Sequence, residues 1–395
     1  MNTRPVQFVR VLAGLAACTL VSSAFATIAL GERGNVQIGG FFSQGYLDSS
    51  ENNYPTASKG GTWDFREMAV NVSTTLGSHL RLGGQAFAQR FGNLGDDKVI
   101  LDWAVADYNF TPAFGVRVGR VKYPKGLYGE ALDLDVVRPY AFLPNAVYSV
   151  VMRDFSAAFN GGMIYGSVNV GKSSFDYKAF YGDIPMSQRQ GVADFYGALG
   201  LYPGTGPTIL GMKSVYGGQL VWNTPISGLK AVYSYSQFNE LETDGPLKPA
   251  PMFNAHSNID RFSWNTYSLE YLRGDWSFAA ELQRCHGDIV YGAPPVVPSI
   301  NDKAGWDGWY VSAARRFLGR FEAGAYYGNL HQAYSSGFQK DTAVSLRCDL
   351  SEHVTVKAEY HWIDGTMQTF DSARIPNPVI SQNNNVFAVK TTFSF

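Results

Sequence analysis

Charged side chains of both signs crowd the stretch between positions 117 and 153. The candidates for a functional site there are Arg117, Lys122, Lys125, Asp133, Asp135, Arg138 and Arg153. Fixed charges at close quarters produce a local field that acts on small ions, and this chemistry needs neither a nucleophile nor a cofactor. We therefore predict an electrostatic site in this stretch. The alternative is that these charges pair across an enclosed space, stiffen its wall and hold the stretch in place.

The histidines show no catalytic or metal-binding pattern. They are His79, His256, His286, His331, His353 and His361. No serine lies in a Gly-x-Ser-x-Gly elbow, and no histidine pair has the HExxH spacing of zinc hydrolases. The histidines are also too scattered along the chain to predict a zinc site. We predict no catalytic residue, no metal site and no cofactor, so the chain is not expected to be an enzyme.

The elements that must position the charges are predicted to be β-strands, because polar and apolar residues alternate along much of the chain. Such alternation places successive side chains on opposite faces of a strand. We predict sixteen strands, at 35–46, 65–76, 79–91, 99–110, 114–122, 157–168, 173–182, 213–224, 229–238, 261–272, 276–287, 307–317, 321–330, 341–350, 354–363 and 385–395.

Short and long connections alternate between these strands. The short ones contain Gly, Pro, Ser or Asp, which favour tight turns, and they lie at 77–78, 111–113, 273–275, 318–320 and 351–353. The long ones lie at 47–64, 123–156, 183–212, 239–260, 288–306 and 364–384. One rim of short turns and one rim of long loops is typical of outer-membrane barrels.

The strands and their connections predict an all-β fold. We expect a sixteen-stranded antiparallel transmembrane β-barrel with short periplasmic turns and long extracellular loops. Only closure satisfies every backbone group in lipid, and a barrel of this size encloses an aqueous lumen. In the strand 354–363, alternation directs Val354, Val356, Ala358, Tyr360 and Trp362 towards lipid and Thr355, Lys357, Glu359 and His361 towards the lumen.

Both ends of the chain predict export to the bacterial outer membrane. Met1–Ala26 has a basic start, an apolar run and an Ala24-Phe25-Ala26 end, which is typical of a cleaved signal peptide. A lipoprotein signal ending at Cys18 is the alternative interpretation. The barrel then occupies 27–395, and its last strand ends on Phe395, like the insertion signal of outer-membrane barrels.

The charge balance argues against nucleic-acid binding and against strong ion selectivity. The formal net charge is −1 for the whole chain, and it becomes about −3 once Arg4 and Arg10 leave with the signal peptide. Alternation directs a nearly balanced set inwards, comprising Arg81, Arg117, Lys178, Lys230, Arg316, Arg347, Lys357, Lys390, Asp102, Asp176, Glu270, Glu281, Glu322, Asp349 and Glu359. Cys285 and Cys348 are predicted to face opposite sides of the wall and to remain free thiols.

Aromatic residues in the loop 123–156 allow two interpretations. They are Tyr123, Tyr128, Tyr140, Phe142 and Tyr148. Exposed to a lumen, such rings could form a slide for sugars. Packed against the wall, they would supply the apolar anchor that a loop inside a lumen needs.

Several segments resemble a family of proteobacterial porin-like outer-membrane proteins. They are Gly40–Tyr46, Leu101–Ala104, Gly119–Tyr128 and the terminal Phe395. The resemblance covers essentially the whole mature chain and implies passive uptake of small hydrophilic solutes, commonly by a homotrimer. It also implies that the loop 123–156 folds into the lumen and narrows it. Phosphate-selective porins are similar in strand count but line the pore with many inward Arg and Lys, which this chain does not.

We therefore expect an outer-membrane porin, a diffusion channel for small hydrophilic solutes and ions that is embedded in outer-membrane lipid. One alternative is a substrate-specific channel for an organic acid, phosphate or an oligosaccharide. The other is a structural or adhesive barrel with a plugged lumen.

Overall fold

The computed structural model describes residues 28–30, 36–92, 94–185, 209–246, 254–369 and 380–395. The predicted signal peptide lies outside the described residues, as do parts of three predicted loops. The strands are β1 (Ile28–Leu30), β2 (Val36–Ser49), β3 (Phe65–Leu76), β4 (Leu80–Phe91), β5 (Ile100–Thr111), β6 (Phe114–Lys122), β7 (Ala158–Val170), β8 (Ser173–Asp183), β9 (Ile209–Asn223), β10 (Leu229–Pro246), β11 (Asn254–Arg273), β12 (Trp276–Ala293), β13 (Val297–Phe317), β14 (Phe321–Gln332), β15 (Phe338–Asp349), β16 (Val354–Gly365) and β17 (Asn383–Ser394).

Strands β2 to β17 form one closed antiparallel barrel. Each strand pairs with its sequence neighbours, and β17 pairs with β2 so that Phe393 lies opposite Phe42. The short β1 pairs with the start of β2, where Ile28 lies opposite Ile38, and is an addition to the barrel. The predicted sixteen-stranded antiparallel barrel is therefore confirmed. None of the helices among the described residues is long and apolar enough to span a membrane.

One sector of the wall is much taller than the sequence predicts. Strands β10 to β13 contain 18 to 21 residues each, whereas β14 to β17 contain 12. The predicted loops 239–260 and 288–306 are wrong over most of their length, because the β10–β11 and β12–β13 ladders continue through them. Strict alternation is lost in this extension, and residues on both faces are exposed around Ile300. Periodicity therefore gave no signal of a strand there.

The two faces of the wall differ as alternation predicts. On β15, Val344 and Leu346 are 42% and 48% exposed and apolar, as a lipid-facing surface requires. On β16 and β17, the inward-facing Lys357 and Lys390 are 0% and 1% exposed. The free Cys285 is buried among residues of the inner face, and Cys348 is also a free thiol, as predicted.

The connection between β6 and β7, residues 123–157, is here called the β6–β7 loop. It contains three short 3₁₀ turns, at Gly129–Ala131, Asp135–Val137 and Val150–Met152, and a one-turn α-helix at Arg153–Ser156. Its residues contact side chains or backbone groups of β3 to β6 and of β8 to β17. The loop adds no strand to the sheet, so its backbone groups are satisfied either within the loop, as where the Gly129 amide donates to the Lys125 carbonyl at 2.8 Å, or by side chains of the wall.

Candidate functional site

Two carboxylates and two cations form the first ion-pair network of the β6–β7 loop. Asp102 on β5 pairs with Lys122 at 2.6 Å and with Arg153 at 2.9 Å. Asp133 of the loop pairs with the same two cations, at 2.7 and 2.9 Å. Burial disfavours the charged form of Asp133, but Arg153 and Lys122 outweigh burial and hold its pKa below the usual range. This network fastens both ends of the loop to β5.

Asp135 is the centre of a second network on the last two strands. Its carboxylate accepts a hydrogen bond from the Thr392 hydroxyl at 2.8 Å and lies 3.1 Å from Lys357 and 3.4 Å from Lys390. The Arg138 guanidinium is 3.5 Å away. Although burial disfavours its charge, the adjacent lysines hold the pKa of Asp135 below its usual range.

The wall also satisfies backbone groups of the loop directly. The Glu359 carboxylate on β16 accepts hydrogen bonds from the amides of Ala141 and Phe142, at 2.7 and 3.0 Å. Arg347 on β15 donates to the Val136 carbonyl at 2.6 Å. Charged partners make these bonds stronger than neutral ones, and they fix the path of the loop backbone.

Arg117 lies apart from both networks, on the inner face of β6. It pairs with Asp107 on β5 at 2.9 Å, and Asp107 also accepts a hydrogen bond from Tyr165 at 2.5 Å. Glu130 of the loop lies 3.6 Å from Arg117 and also pairs with Lys178. Arg117 thus attaches the middle of the loop through Glu130, which is not one of the predicted site residues.

Lys125 is buried and forms no ion pair with any carboxylate of the described residues. Its ammonium donates to the Val147 carbonyl at 2.6 Å and lies 4.6 Å and 5.1 Å from the ring centres of Trp264 and Tyr148. With its amide oriented to satisfy both neighbours, Gln283 accepts from Lys125 at 3.1 Å. Burial lowers the pKa of Lys125 to about 8.

Glu281 on β12 is the complementary case, a buried carboxylate satisfied by neutral donors. It accepts hydrogen bonds from the Leu127 amide at 2.9 Å, Tyr148 at 3.0 Å, Ser268 at 2.6 Å and Tyr310 at 2.7 Å. Burial also raises the pKa of the Tyr148 hydroxyl, so this donor stays protonated. The β12 side of the loop is therefore attached by a dense set of hydrogen bonds.

The loop aromatics pack against the wall and do not form an exposed slide. Tyr123 lies against Phe180 and Trp264, with ring centres 5.5 and 6.4 Å apart. Phe142 stacks on Phe65 at 5.0 Å, and Tyr140 meets Tyr326 edge-on at 5.2 Å. These contacts give the loop an apolar anchor in each sector of the barrel.

The structure therefore places the predicted residues in the loop or on the adjoining β6 but separates them into distinct groups. Lys122, Asp133 and Arg153 share one network, whereas Asp135 and Arg138 belong to the other. The partner Asp107 was missed because the β4–β5 ladder shifts between Gln85 and Ala86. Every second residue counted from Asp102 has an even number, which would place Asp107 on the outer face. The β-bulge shifts the alternation by one residue, so Asp107 faces inwards. The sequence signal for it was the alternation of apolar Ala106, Tyr108 and Phe110 with polar Asp107 and Asn109.

Comparisons with known proteins support the architecture. No protein-family model matches the chain, and no curated protein matches it. The solved structure of OmpF from Salmonella typhi, in complex with daunomycin, covers 93% of this chain and 100% of its own, with 12% identity and a TM-score of 0.58. OmpT of Vibrio cholerae covers 91% and 98%, with 12% identity and a TM-score of 0.57.

An anion-selective porin from Comamonas acidovorans is similar over 91% of this chain and 99% of its own, with 14% identity and a TM-score of 0.55. At these identities the similarity is one of fold. The chain has the sixteen-stranded β-barrel fold of outer-membrane porins.

Proposed function

We propose that this protein is a diffusion porin of the bacterial outer membrane, and that the β6–β7 loop forms its constriction. The observation that carries the proposal is a closed barrel whose inner face is contacted by one loop in nearly every sector. A loop held in this way narrows an aqueous passage to whatever space it leaves. Transport would be downhill and would need no cofactor or catalytic residue.

The predicted charged residues act in this proposal mainly by fixing the loop. Asp133 and Asp135 are 6% and 4% exposed, and each faces at least two cations. Paired charges of both signs support weak ion selectivity, because their fields largely cancel at the distance of a hydrated ion. Signal cleavage after Ala26 belongs to the same proposal.

Single-channel current in planar bilayers under a salt gradient tests the proposal. Folded protein should give stepwise conductance with a small reversal potential, and protein unfolded by heating before reconstitution should give none. If the field of the cations reaches the passage, replacing Lys122 and Arg153 by Gln lowers anion permeability. Unchanged ion selectivity would mean that Lys122 and Arg153 only hold the loop in place. The absence of current from folded protein would overturn the proposed channel.

A plugged structural barrel is the second candidate, and the burial of the inner wall favours it. Lys357, Glu359 and His361 are 0%, 2% and 2% exposed, although they lie on the face that an open channel would hydrate. A plugged barrel would give no current while its extracellular face still bound a partner. The bilayer experiment therefore separates the two candidates.

We also propose a homotrimer that associates through the outer face of β2 to β6. A shallow groove there is lined by exposed Val72, Leu82 and Val118 beside the small residues Gly84 and Ala104. The trimer form reported for Vibrio cholerae OmpT concerns a chain with 14% identity. Filling the groove with Ala104→Trp should dissociate trimers in native mass spectrometry, whereas Val344→Trp on β15 should not.

A further inference from the structure

The β6–β7 loop directs its charges into the wall and leaves apolar side chains accessible. Among its described side chains, Lys125, Asp133, Asp135, Arg138 and Arg153 are at most 8% exposed. The accessible side chains of its first half are different in kind. Leu127, Ala131, Leu132, Leu134 and Val136 are partly exposed, Val137 is 37% exposed, and Tyr128 and Glu130 complete the set.

Alternation within the loop explains this division. Asp133 and Asp135 alternate with Leu134 and Val136, so the acids face their cations while these two aliphatic residues face away. Leu132 is only partly exposed because it packs against the cluster of Leu143, Val147, Tyr148 and Tyr310. A loop surrounded only by water would adopt the opposite arrangement, because apolar surface is expelled from water. Here the two ion-pair networks fix the acidic side, and the aliphatic side is left in the lumen.

The accessible aliphatic face lies near the rim of short turns. Asp135 contacts Lys357 and Thr392, which are close to the start of β16 and the end of β17. Arg347, which donates to the Val136 carbonyl, is close to the end of β15. Beside this face, Arg316 and Asp349 form an ion pair whose side chains are each 18% exposed. The accessible aliphatic face of the loop and the Arg316–Asp349 ion pair therefore occur together near the rim of short turns.

We infer that the surface met by a solute at the constriction is apolar, and that the channel favours small amphipathic solutes with an apolar body and one polar or charged end. This inference rests on the proposed porin function and narrows its substrate class. Hydrated ions gain nothing from an aliphatic surface, and hydrophobic constrictions resist wetting. An apolar body, by contrast, is stabilised when its surface is removed from water.

The test compares wild type with the triple variant Leu134→Asn, Val136→Thr and Val137→Thr. These substitutions change polarity at nearly constant size and leave every ion pair of the loop intact. The control variant carries Val311→Thr and Val344→Thr, on outward positions that are 49% and 42% exposed. Bi-ionic reversal potentials then give permeabilities, relative to chloride, for straight-chain carboxylates from acetate to valerate.

In wild type, permeability should stay level or rise as the carboxylate chain lengthens. In the triple variant it should fall with length, and chloride conductance should rise several-fold, while the control variant behaves as wild type. A wild-type series that falls with bulk mobility, together with an unchanged triple variant, would overturn the inference. If wild type gives no current, current through the triple variant still supports an apolar barrier at the constriction. If neither protein gives current, both the apolar constriction and the porin function are overturned.

Discussion

The β6–β7 loop is anchored by aromatic rings around the barrel, but its buried charges are held by ion pairs on one side and by neutral hydrogen-bond donors, acceptors and rings on the other. The ionic side comprises Asp102, Lys122, Asp133, Asp135, Arg153, Lys357 and Lys390. The neutral side comprises Lys125, Tyr148, Ser268, Glu281 and Tyr310, in which the two charged residues each lack an ion pair among the described residues.

The difference shows two ways of burying charge at one loop. On the ionic side each charge is balanced, so deleting one partner leaves others buried without compensation. On the neutral side oriented dipoles and rings stabilise each charge, so a shape-preserving neutral substitution leaves no opposite charge behind. We expect the two sides to respond differently to the same class of mutation.

The buried thiol of Cys285 can report on both sides. It is 0% exposed and packs in a cluster with Tyr123, Phe155 and Trp264, so a thiol reagent in the lumen reaches it only when this packing opens. Labelling in a Cys348→Ser background then measures the free energy of local opening. All the rates below refer to this background.

The largest effect should come from Asp135→Ala. The substitution leaves Lys357 and Arg138 buried without their shared carboxylate, a loss of about 3 kcal/mol. Cys285 labelling should accelerate by at least about 100-fold if the loop opens as a unit. The matched control is Asp96→Ala, which removes an 81% exposed partner of Arg90 and should change nothing. An unaltered rate would show that the two sides open independently.

Glu281→Ala should have the next largest effect. It leaves the Leu127 amide and the Tyr148, Ser268 and Tyr310 hydroxyls without an acceptor, at a cost of about 2 kcal/mol for the group. We expect labelling to accelerate by about 30-fold. Glu281→Gln, which keeps an acceptor oxygen, should recover much of the loss. Equal rates for Gln and Ala would mean that the charge itself is what stabilises this side.

A smaller effect is expected for Lys125→Met, and the matched variant is Lys357→Met on the ionic side. Methionine can fill the space between the Trp264 and Tyr148 rings, so the cost should be below about 1 kcal/mol. Lys357 donates to the carbonyls of Asp135 and Tyr140 at 2.5 and 3.0 Å, and its loss should cost more. Labelling rates in the reverse order would contradict the division into two sides.

The last expected effect is a pH dependence specific to the neutral side. The pKa of Lys125 is about 8 in the docked loop against 10.5 for a free lysine. Between these values the undocked state binds more protons, so docking strengthens as pH rises from 8 to 10.5 and gains nothing beyond. Labelling, normalised to a free thiol at each pH, should slow across this window. Lys125→Met should remove the slope.

The sequence predicts the wall better than the loop, for a physical reason. Period-two alternation is imposed by lipid on one face and water on the other, so the inward positions of Lys357 and Glu359 could be predicted. Residues 123–157 show no regular alternation of polar and apolar side chains. Their ion pairs and hydrogen bonds with β16 and β17 depend on closure of the whole barrel. The extensions of β10 to β13 were missed because strict alternation is lost there, and residues on both faces of β13 are exposed around Ile300.

The attachment of the β6–β7 loop to the last strands has a consequence for biogenesis. Asp135 is 222 residues before Lys357 and 255 residues before Lys390, so its anchors do not exist until the end of the chain has been synthesised. Contacts of such sequence separation form late in folding. Docking of the loop must then accompany or follow the joining of β17 to β2. Substitutions in this loop should accordingly lower the yield of inserted protein, even where they leave the finished wall intact.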